Sequence, residues 1–173
     1  MAVHRVGIGT DTHRLGPGRR LVLGHVAIPH DHGSIAHSDG DVVLHALIDA
    51  LAGAAGLPDI GEMFPDSDPA YRDADSGVLL EEVCRRVGDC GYAVVNVDLI
   101  VHAQRPRLSP YKAVMQAEIA RLLGLPLDAV SIKAKTGEGV DAVGRGEAVA
   151  CTAVAGLARK AVGNRLKTEI DGA

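Results

Sequence analysis

Asp11-Thr12-His13 sits inside a stretch that reads as a β-strand, and no other feature constrains the fold as strongly. Side chains at i and i+2 of a strand project from one face, so this carboxylate and this imidazole can converge on a single cation. A third donor, His45, lies on the next amphipathic segment, just past the polar run His37-Ser38-Asp39-Gly40-Asp41. Two imidazoles and one carboxylate suit zinc with one coordination position left open, which is the pattern of catalytic rather than structural sites. An isolated Asp-x-His triplet is ordinary polar strand-end chemistry. His45 and the acidic run before it are what make the triplet a candidate site.

With 173 residues and 47% hydrophobic content, the chain suits one compact domain, 1–173, with a core of about 3–159 and a polar tail of about 160–173. The net charge is −4, and one Phe, three Tyr and no Trp leave little to stack bases on, so nucleic-acid binding is not expected. No signal-like segment opens the chain, and no apolar run approaches the ~20 residues of a membrane span. The expectation is a soluble, cytoplasmic protein with no membrane partner. Cys84, Cys90 and Cys151 are odd in number and lack Cys-x-x-Cys spacing, so they are expected to be buried thiols rather than disulfide or zinc ligands.

The periodicities predict mixed strands and helices without repeats. Strands are expected at 3–10, with the metal candidates at the end of the first, at 20–28 as two short pieces broken at Gly24, and at 92–102, 130–135 and 148–157. The run Val94, Val95, Val97, Leu99, Ile100, Val101 predicts a strand buried on both faces. Leu44, Leu47, Ile48 and Leu51 predict an amphipathic helix over 41–55, capped by Ser38 or Asp39, with Asp41 and Asp49 placed to orient His45. Further helices are expected at 76–90 and 110–123. Between them, 59–75 reads as a long mobile loop with six acidic residues. The whole is an α+β or α/β sandwich of helices on a sheet.

Two more constellations carry chemistry. Ala134-Lys135-Thr136-Gly137-Glu138-Gly139 follows a strand and offers a hydroxyl, backbone N–H groups and a carboxylate, which suit a phosphate with a hard cation such as magnesium. Ala103-Gln104-Arg105-Pro106-Arg107-Leu108 could line a pocket at another strand end. Taken in order, Asp-x-His, His-Ser-Asp-Gly-Asp with His four residues on, Asp-Ile-Gly, Phe-Pro-Asp-x-Asp, Ala-Gln-x-Pro-Arg and Thr-x-Glu before Gly-Arg-Gly-Glu resemble the 2-C-methyl-D-erythritol 2,4-cyclodiphosphate synthase family of the non-mevalonate isoprenoid pathway. Any one motif is common; the ordered set, from about Arg5 to Arg159, is specific.

The resemblance implies a ferredoxin-like sandwich of helices on a mixed β-sheet, as the subunit of a homotrimer with active sites between neighbours. It implies zinc on Asp11, His13 and His45, and Mg2+ or Mn2+ on Glu138. His37 and Ser38 would contact the methylerythritol phosphate, Asp59 and Gly61 would hold the ribose, and Ile60 would also bind substrate. Asp66, with Phe64 and Ser76, would belong to a loop closing over the substrate. Ala103, Gln104, Arg105, Pro106, Arg107 and Leu108, with Ala134, Lys135 and Thr136, would form the cytidine pocket. His37, Asp66, Thr136 and Glu138 would be catalytic. A metal-dependent phosphohydrolase and a non-catalytic nucleotide-binding module are the alternatives. One departure stands out: where the family has Leu-Gly-Phe before its Gly-Arg, this chain has Val140-Asp141-Ala142-Val143. That Phe lines an axial cavity in which the Arg, here Arg145, meets isoprenoid diphosphates, so weak or absent binding of such ligands is expected here.

Overall fold

The computed structural model describes residues 4–71 and 73–160. The polar tail expected from about 160 therefore lies almost wholly outside the described residues. A mixed five-stranded sheet has the order β4-β1-β7-β5-β6, from β4 (His32–Ser34), β1 (His4–Pro17), β7 (Ala148–Arg159), β5 (Tyr92–His102) and β6 (Val130–Lys135). Only β5 and β6 run parallel. Helices α1 (Val42–Ala55), α3 (Ser76–Asp89) and α4 (Lys112–Leu123) pack on the sheet, and a hairpin of β2 (Leu21–Leu23) and β3 (Val26–Ile28) stands beside them. Two one-turn helices complete the set, α2 (Ile60–Met63) and α5 (Asp141–Gly144). The chain thus has the expected α+β layering. The parallel β5 and β6 are joined through α4, however, so the element order is not the βαββαβ of a ferredoxin-like motif.

Strand β1 runs well beyond the predicted 3–10, because its later residues pair with β7 as far as Arg14 and then with β4 from Leu15 to Pro17. Asp11 and His13 are therefore mid-strand, held on a rigid ladder rather than at a frayed end. On the same face, Gly7 and Gly9 lie against α1. A Cβ on Gly7 would fall 2.0 Å from the Ala50 carbonyl oxygen, and one on Gly9 would fall 2.1 Å from that of Ala46. The two backbones approach this closely only because neither strand residue has a side chain.

Helix α1 is expected to be amphipathic, yet eleven of its residues are buried. It lies between β1 and β7 on one side and α3 and β2 on another, so it is the centre of the core rather than its lid. Its cap also differs from expectation. The fully buried Asp41, not Ser38 or Asp39, accepts from Val43 N (3.0 Å) and Leu44 N (3.2 Å). It also accepts from Gly24 N (2.9 Å) and His25 N (2.5 Å). Gly24 and His25 both have positive φ, 59° and 63°, which makes the β2–β3 connection a type I′ turn.

Strand β5 is not buried on both faces as its apolar run predicts. Val97, Leu99 and Val101 face the helices and are buried, whereas Val95 is 45% exposed and Ile100 half-buried. The run is continuous because the second face of the sheet carries apolar side chains that no element among the described residues covers. The 59–75 segment is more ordered than its composition suggests. Asp59 caps α2 by accepting from Glu62 N (2.9 Å), and Pro69–Tyr71 forms a 3-10 turn. Of the cysteines, Cys151 is buried and Cys84 half-buried, but Cys90, at the end of α3, is exposed.

The β2–β3 turn is tied to two helices through His25. Its Nδ1 lies 3.0 Å from Glu118 Oε1 on α4, and its Nε2 lies 3.0 Å from Asp75 Oδ1, the cap of α3. The hydrogen bond to Glu118, with Asp75 beside it, outweighs partial burial and raises the imidazole above its ordinary 6.5. Arg121 pairs with Glu118, and Arg20, Asp39 and Asp73 line the adjoining hollow.

Two predictions follow from this packing. Gly9→Ala should cost about 1–3 kcal/mol or more, because the new methyl meets backbone rather than a movable side chain; a urea midpoint equal to that of the parent would contradict the close approach. A raised folded-state value means that His25 contributes stability fully present below pH 6.5 and lost as pH rises through that higher value. His25→Asn, which tolerates the positive φ, should therefore show its largest deficit in urea midpoint at low pH and a smaller one at alkaline pH. A gap independent of pH would show that the ring is not titrating against Asp75 and Glu118.

Candidate metal centre

Residue 11 and residue 13 project from β1 toward the first turn of α1, where Asp41 has fixed the helix start and so the position of His45. Asp11 Oδ2 lies 3.1 Å from His45 Nδ1 and 3.4 Å from His13 Nε2, and the two imidazole nitrogens are 3.2 Å apart. Donors about 2.0–2.1 Å from a tetrahedral zinc are separated by about 3.3–3.4 Å, so the triangle has the dimensions of one face of such a site. His45 is only 9% exposed, and the other two donors are half-buried. Burial disfavours charge on both members of the central pair. The mutual hydrogen bond and attraction overcome it, lowering the Asp11 carboxyl and raising the His45 imidazole. A neutral imidazole pair with one carboxylate is what a divalent cation requires, and these residues fit zinc.

Neither Asp41 nor Asp49 touches the His45 ring as their i−4 and i+4 positions predict. Asp41 is consumed by four backbone N–H groups, and Asp49 accepts from Ile60 N (2.8 Å). The groups on the far side of the ring are instead Ser76 Oγ, 3.0 Å from Nε2, and Ser38 Oγ, 3.2 Å from it. Ser76 is expected on the loop over the substrate. It is fully buried as the first residue of α3, and its hydroxyl hydrogen-bonds to Asp39. The pairing of Asp39 with Ser76, and through it with His45, is not foreseen from the sequence. The only hint was the polar run containing Asp39 and the helix-start sequence Asp75-Ser76.

The hollow over the triangle is lined by His37, Ser38, Ile60, Gly61, Phe64 and Asp66, so those sequence-predicted residues do come together with the metal candidates. His37 Nδ1 faces Asp66 Oδ2 at 3.5 Å, with both side chains largely exposed on the rim. Asp59 stands behind, its Oδ1 engaged in capping α2. Phe64 is buried in an edge-on contact with Tyr71 and beneath the Arg86 guanidinium, and lines the hollow.

Ala103 to Leu108 and Ala134 to Thr136 line a different hollow, at the ends of the parallel strands β5 and β6. Thr136 Oγ1 donates to Glu138 Oε1 (2.8 Å), and Glu138 has a φ of 50° on an exposed turn. Gln104 Oε1 is buried there with no hydrogen-bond partner among the described residues. The metal triangle and this hollow do not meet within one chain. Arg145 lies apart from both, paired with Glu147 (3.0 Å), after the short α5 whose amides Val143 N and Gly144 N are capped by Asp141 Oδ1. A second His/Asp group, His30, Asp31 and His32, is a different kind of arrangement: both imidazoles share one oxygen of the largely exposed Asp31 at a surface bend.

Comparison with known proteins gives this geometry a setting. The sequence model of the YgbB family matches residues 4–158. A 2-C-methyl-D-erythritol 2,4-cyclodiphosphate synthase of Bordetella avium is 54% identical over 91% of this chain and 97% of its own length. The chloroplastic enzyme of that name from Arabidopsis thaliana is 46% identical over 90% of this chain and 68% of its own. Among solved structures, a 2C-methyl-D-erythritol-2,4-cyclodiphosphate synthase in a CDP-bound form superposes with a TM-score of 0.83 at 41% identity, covering 88% of this chain and 99% of that one. The bifunctional IspDF of Campylobacter jejuni gives 0.88 at 40% identity over 92% of this chain, which spans 43% of that longer protein. The agreement runs from β1 through β7, and the chain belongs to the YgbB family, that of the 2-C-methyl-D-erythritol 2,4-cyclodiphosphate synthases.

Proposed function

We propose that this enzyme converts 4-diphosphocytidyl-2-C-methyl-D-erythritol 2-phosphate to 2-C-methyl-D-erythritol 2,4-cyclodiphosphate with release of CMP. The observation that carries the reading is the Asp11, His13, His45 triangle, of zinc dimensions, at the floor of a hollow in a chain so similar to enzymes of that name. A CDP-bound relative supports a cytidine nucleotide in the Ala103–Leu108 and Ala134–Thr136 hollow.

The substrate carries its own nucleophile, since a phosphate monoester with a second pKa near ~6 is largely dianionic at neutral pH. An oxygen of the 2-phosphate attacks the β-phosphorus, a new P–O–P bond closes the ring, and the bond from the β-phosphorus to the CMP oxygen breaks. No protein base or covalent nucleophile is needed; what the protein supplies is alignment and charge neutralisation. His37 and Ser38 would hold the 2-phosphate, Asp59 and Gly61 the ribose, and Asp66 the closing rim, while Thr136 would donate to a phosphate oxygen. Zinc on the triangle would polarise the β-phosphoryl group, and Mg2+ or Mn2+ on Glu138 would ease the departure of CMP.

A homotrimer with active sites between subunits accords with two features of the single chain. The metal and cytidine hollows are separate, and the sheet leaves Val6 at 73% and Ile8 at 67% exposure on its uncovered face. Among the described residues no helix is long and apolar enough to cross a membrane, and the cytoplasm is the proposed site of action. At the proposed axis, Ala142 in place of an aromatic ring and Arg145 already paired with Glu147 argue for weak binding of isoprenoid diphosphates.

Incubation with the substrate and resolution of products tests the reading: cyclic diphosphate plus CMP is expected, and linear hydrolysis products or binding without turnover would overturn it. His45→Ala should lose zinc and turnover together, because three protein ligands leave no redundancy; full zinc occupancy by elemental analysis would sink the assignment. Glu138→Gln should lower activity and blunt the magnesium dependence while zinc content stays at the parent level. An unaltered magnesium titration would count against its role.

A further inference from the structure

The His45 ring is gripped from behind by a hydrogen-bonded chain whose direction is fixed by what each group can donate. When Nδ1 faces a cation, the neutral ring keeps its proton on Nε2. Both oxygens of Asp39 already accept from backbone: Oδ2 from Ser76 N (3.1 Å) and Oδ1 from Asp41 N (3.2 Å). A carboxylate in that role only accepts, so the Ser76 hydroxyl donates to Asp39 Oδ1 and its lone pairs are left facing His45 Nε2, 3.0 Å away. With a cation on Nδ1, the assignment runs from His45 Nε2–H to Ser76 Oγ–H to Asp39, and it leaves the Nδ1 lone pair free to bind the cation beside Asp11 and His13. Ser38 Oγ, which accepts from Gly40 N (3.1 Å), is a second, more open acceptor beside Nε2. Ser76 has no solvent exposure, so water cannot take its place without repacking.

We propose that Asp39 and Ser76 are positioning residues for the metal centre: together they fix the tautomer and ring orientation that present His45 Nδ1 to the cation. The chain also couples that centre to the end of the acidic segment, because Asp39 N donates to Ala74 O (3.1 Å) and Asp73 N to His37 O (2.7 Å). The segment of residues 37–39 is thus laced to residues 73–76, and the residue that starts α3 also aims the metal ligand. Outer partners of this kind typically change metal affinity or activity by about 10–100-fold when removed. The inference rests on the zinc reading given above.

The test compares Ser76→Ala and Asp39→Ala with the parent, all prepared without metal, by three measurements: zinc affinity in competition with a chromophoric chelator, the visible spectrum of the cobalt-loaded protein, and the urea midpoint of the metal-free protein. Zinc affinity is expected to fall by about 10–100-fold in both variants, with a changed cobalt spectrum and a metal-free midpoint close to that of the parent. Zinc affinities within threefold of the parent together with an unchanged cobalt spectrum would overturn the proposal, whatever happens to the midpoint, since a merely structural serine would move only the latter. If Ser76→Ala fails to fold, the same two readouts on Asp39→Ala decide. A parent protein that takes up no zinc would overturn the metal reading itself, an outcome distinct from tight parental binding that both substitutions leave intact.

Discussion

The contact between the backbone of β1 and that of α1 is the constraint on which the rest of the structure depends. Gly7 and Gly9 face the helix, and a methyl on either would meet a carbonyl oxygen of Ala50 or Ala46 at about 2 Å. With strand periodicity, the next two positions on that face are Asp11 and His13. The helix that glycine admits so close arrives with its first turn over those two side chains, so His45 meets them at hydrogen-bonding distance. A slip of one residue in the β1–β7 register would turn all four to the other face, and packing and ligand set would be lost together. The metal triangle is thus a continuation of a packing contact and not an ornament added to a finished fold.

A second framework, polar and largely buried, sets where α1 begins. Asp41 caps the helix and at the same time holds both amides of the β2–β3 turn. Burial pushes its carboxyl up to about 6 even though the His25 and Gly24 amides pull the other way. Four donors leave its oxygens satisfied; removing the acceptor would strand buried N–H groups at about 1–3 kcal/mol each. Through His25 the same turn reaches the cap of α3 and a carboxylate of α4, so the starts of two helices and the face of a third are mutually referenced. Ser76 and Asp39 sit where that framework meets the metal centre.

Much of this was legible in the sequence. Asp11, His13 and His45 declared themselves through strand periodicity and a polar run, because ligand chemistry and alternation are local properties. The long helices, and the long strands other than β1, appeared at close to their observed limits for the same reason. What stayed hidden depended on neighbours remote in sequence. The capping role of Asp41 is set by where β2 and β3 fold back, the all-round burial of α1 by two layers that close on it, and the extension of β1 by pairing with β7 and with the three-residue β4. Gly7 and Gly9 were visible only as small residues in a strand. Their meaning lies in a helix forty residues away. Val94 to Val101 read as doubly buried because hydrophobicity reports that a face wants cover, not which molecule provides it.

Charge gives the proposed chemistry its final requirement. Asp39, Asp41 and Asp49 lie around the metal triangle, and Asp66 stands at the rim of its hollow, whereas Arg105, Arg107 and Lys135 line the other hollow. The acidic half, metal-free, would repel a diphosphate; two imidazoles and a single carboxylate around a divalent ion leave that centre with a net charge of about +1 and reverse the sign locally. In the proposed function the basic half attracts the nucleotide phosphates. A substrate bearing both a diphosphate and a separate phosphate is therefore neutralised only when a cation occupies the triangle and a basic hollow lies against it. Within one chain the two hollows stay apart, so the electrostatics of the reaction, and not only the uncovered apolar face of the sheet, call for the neighbouring copy in the proposed assembly.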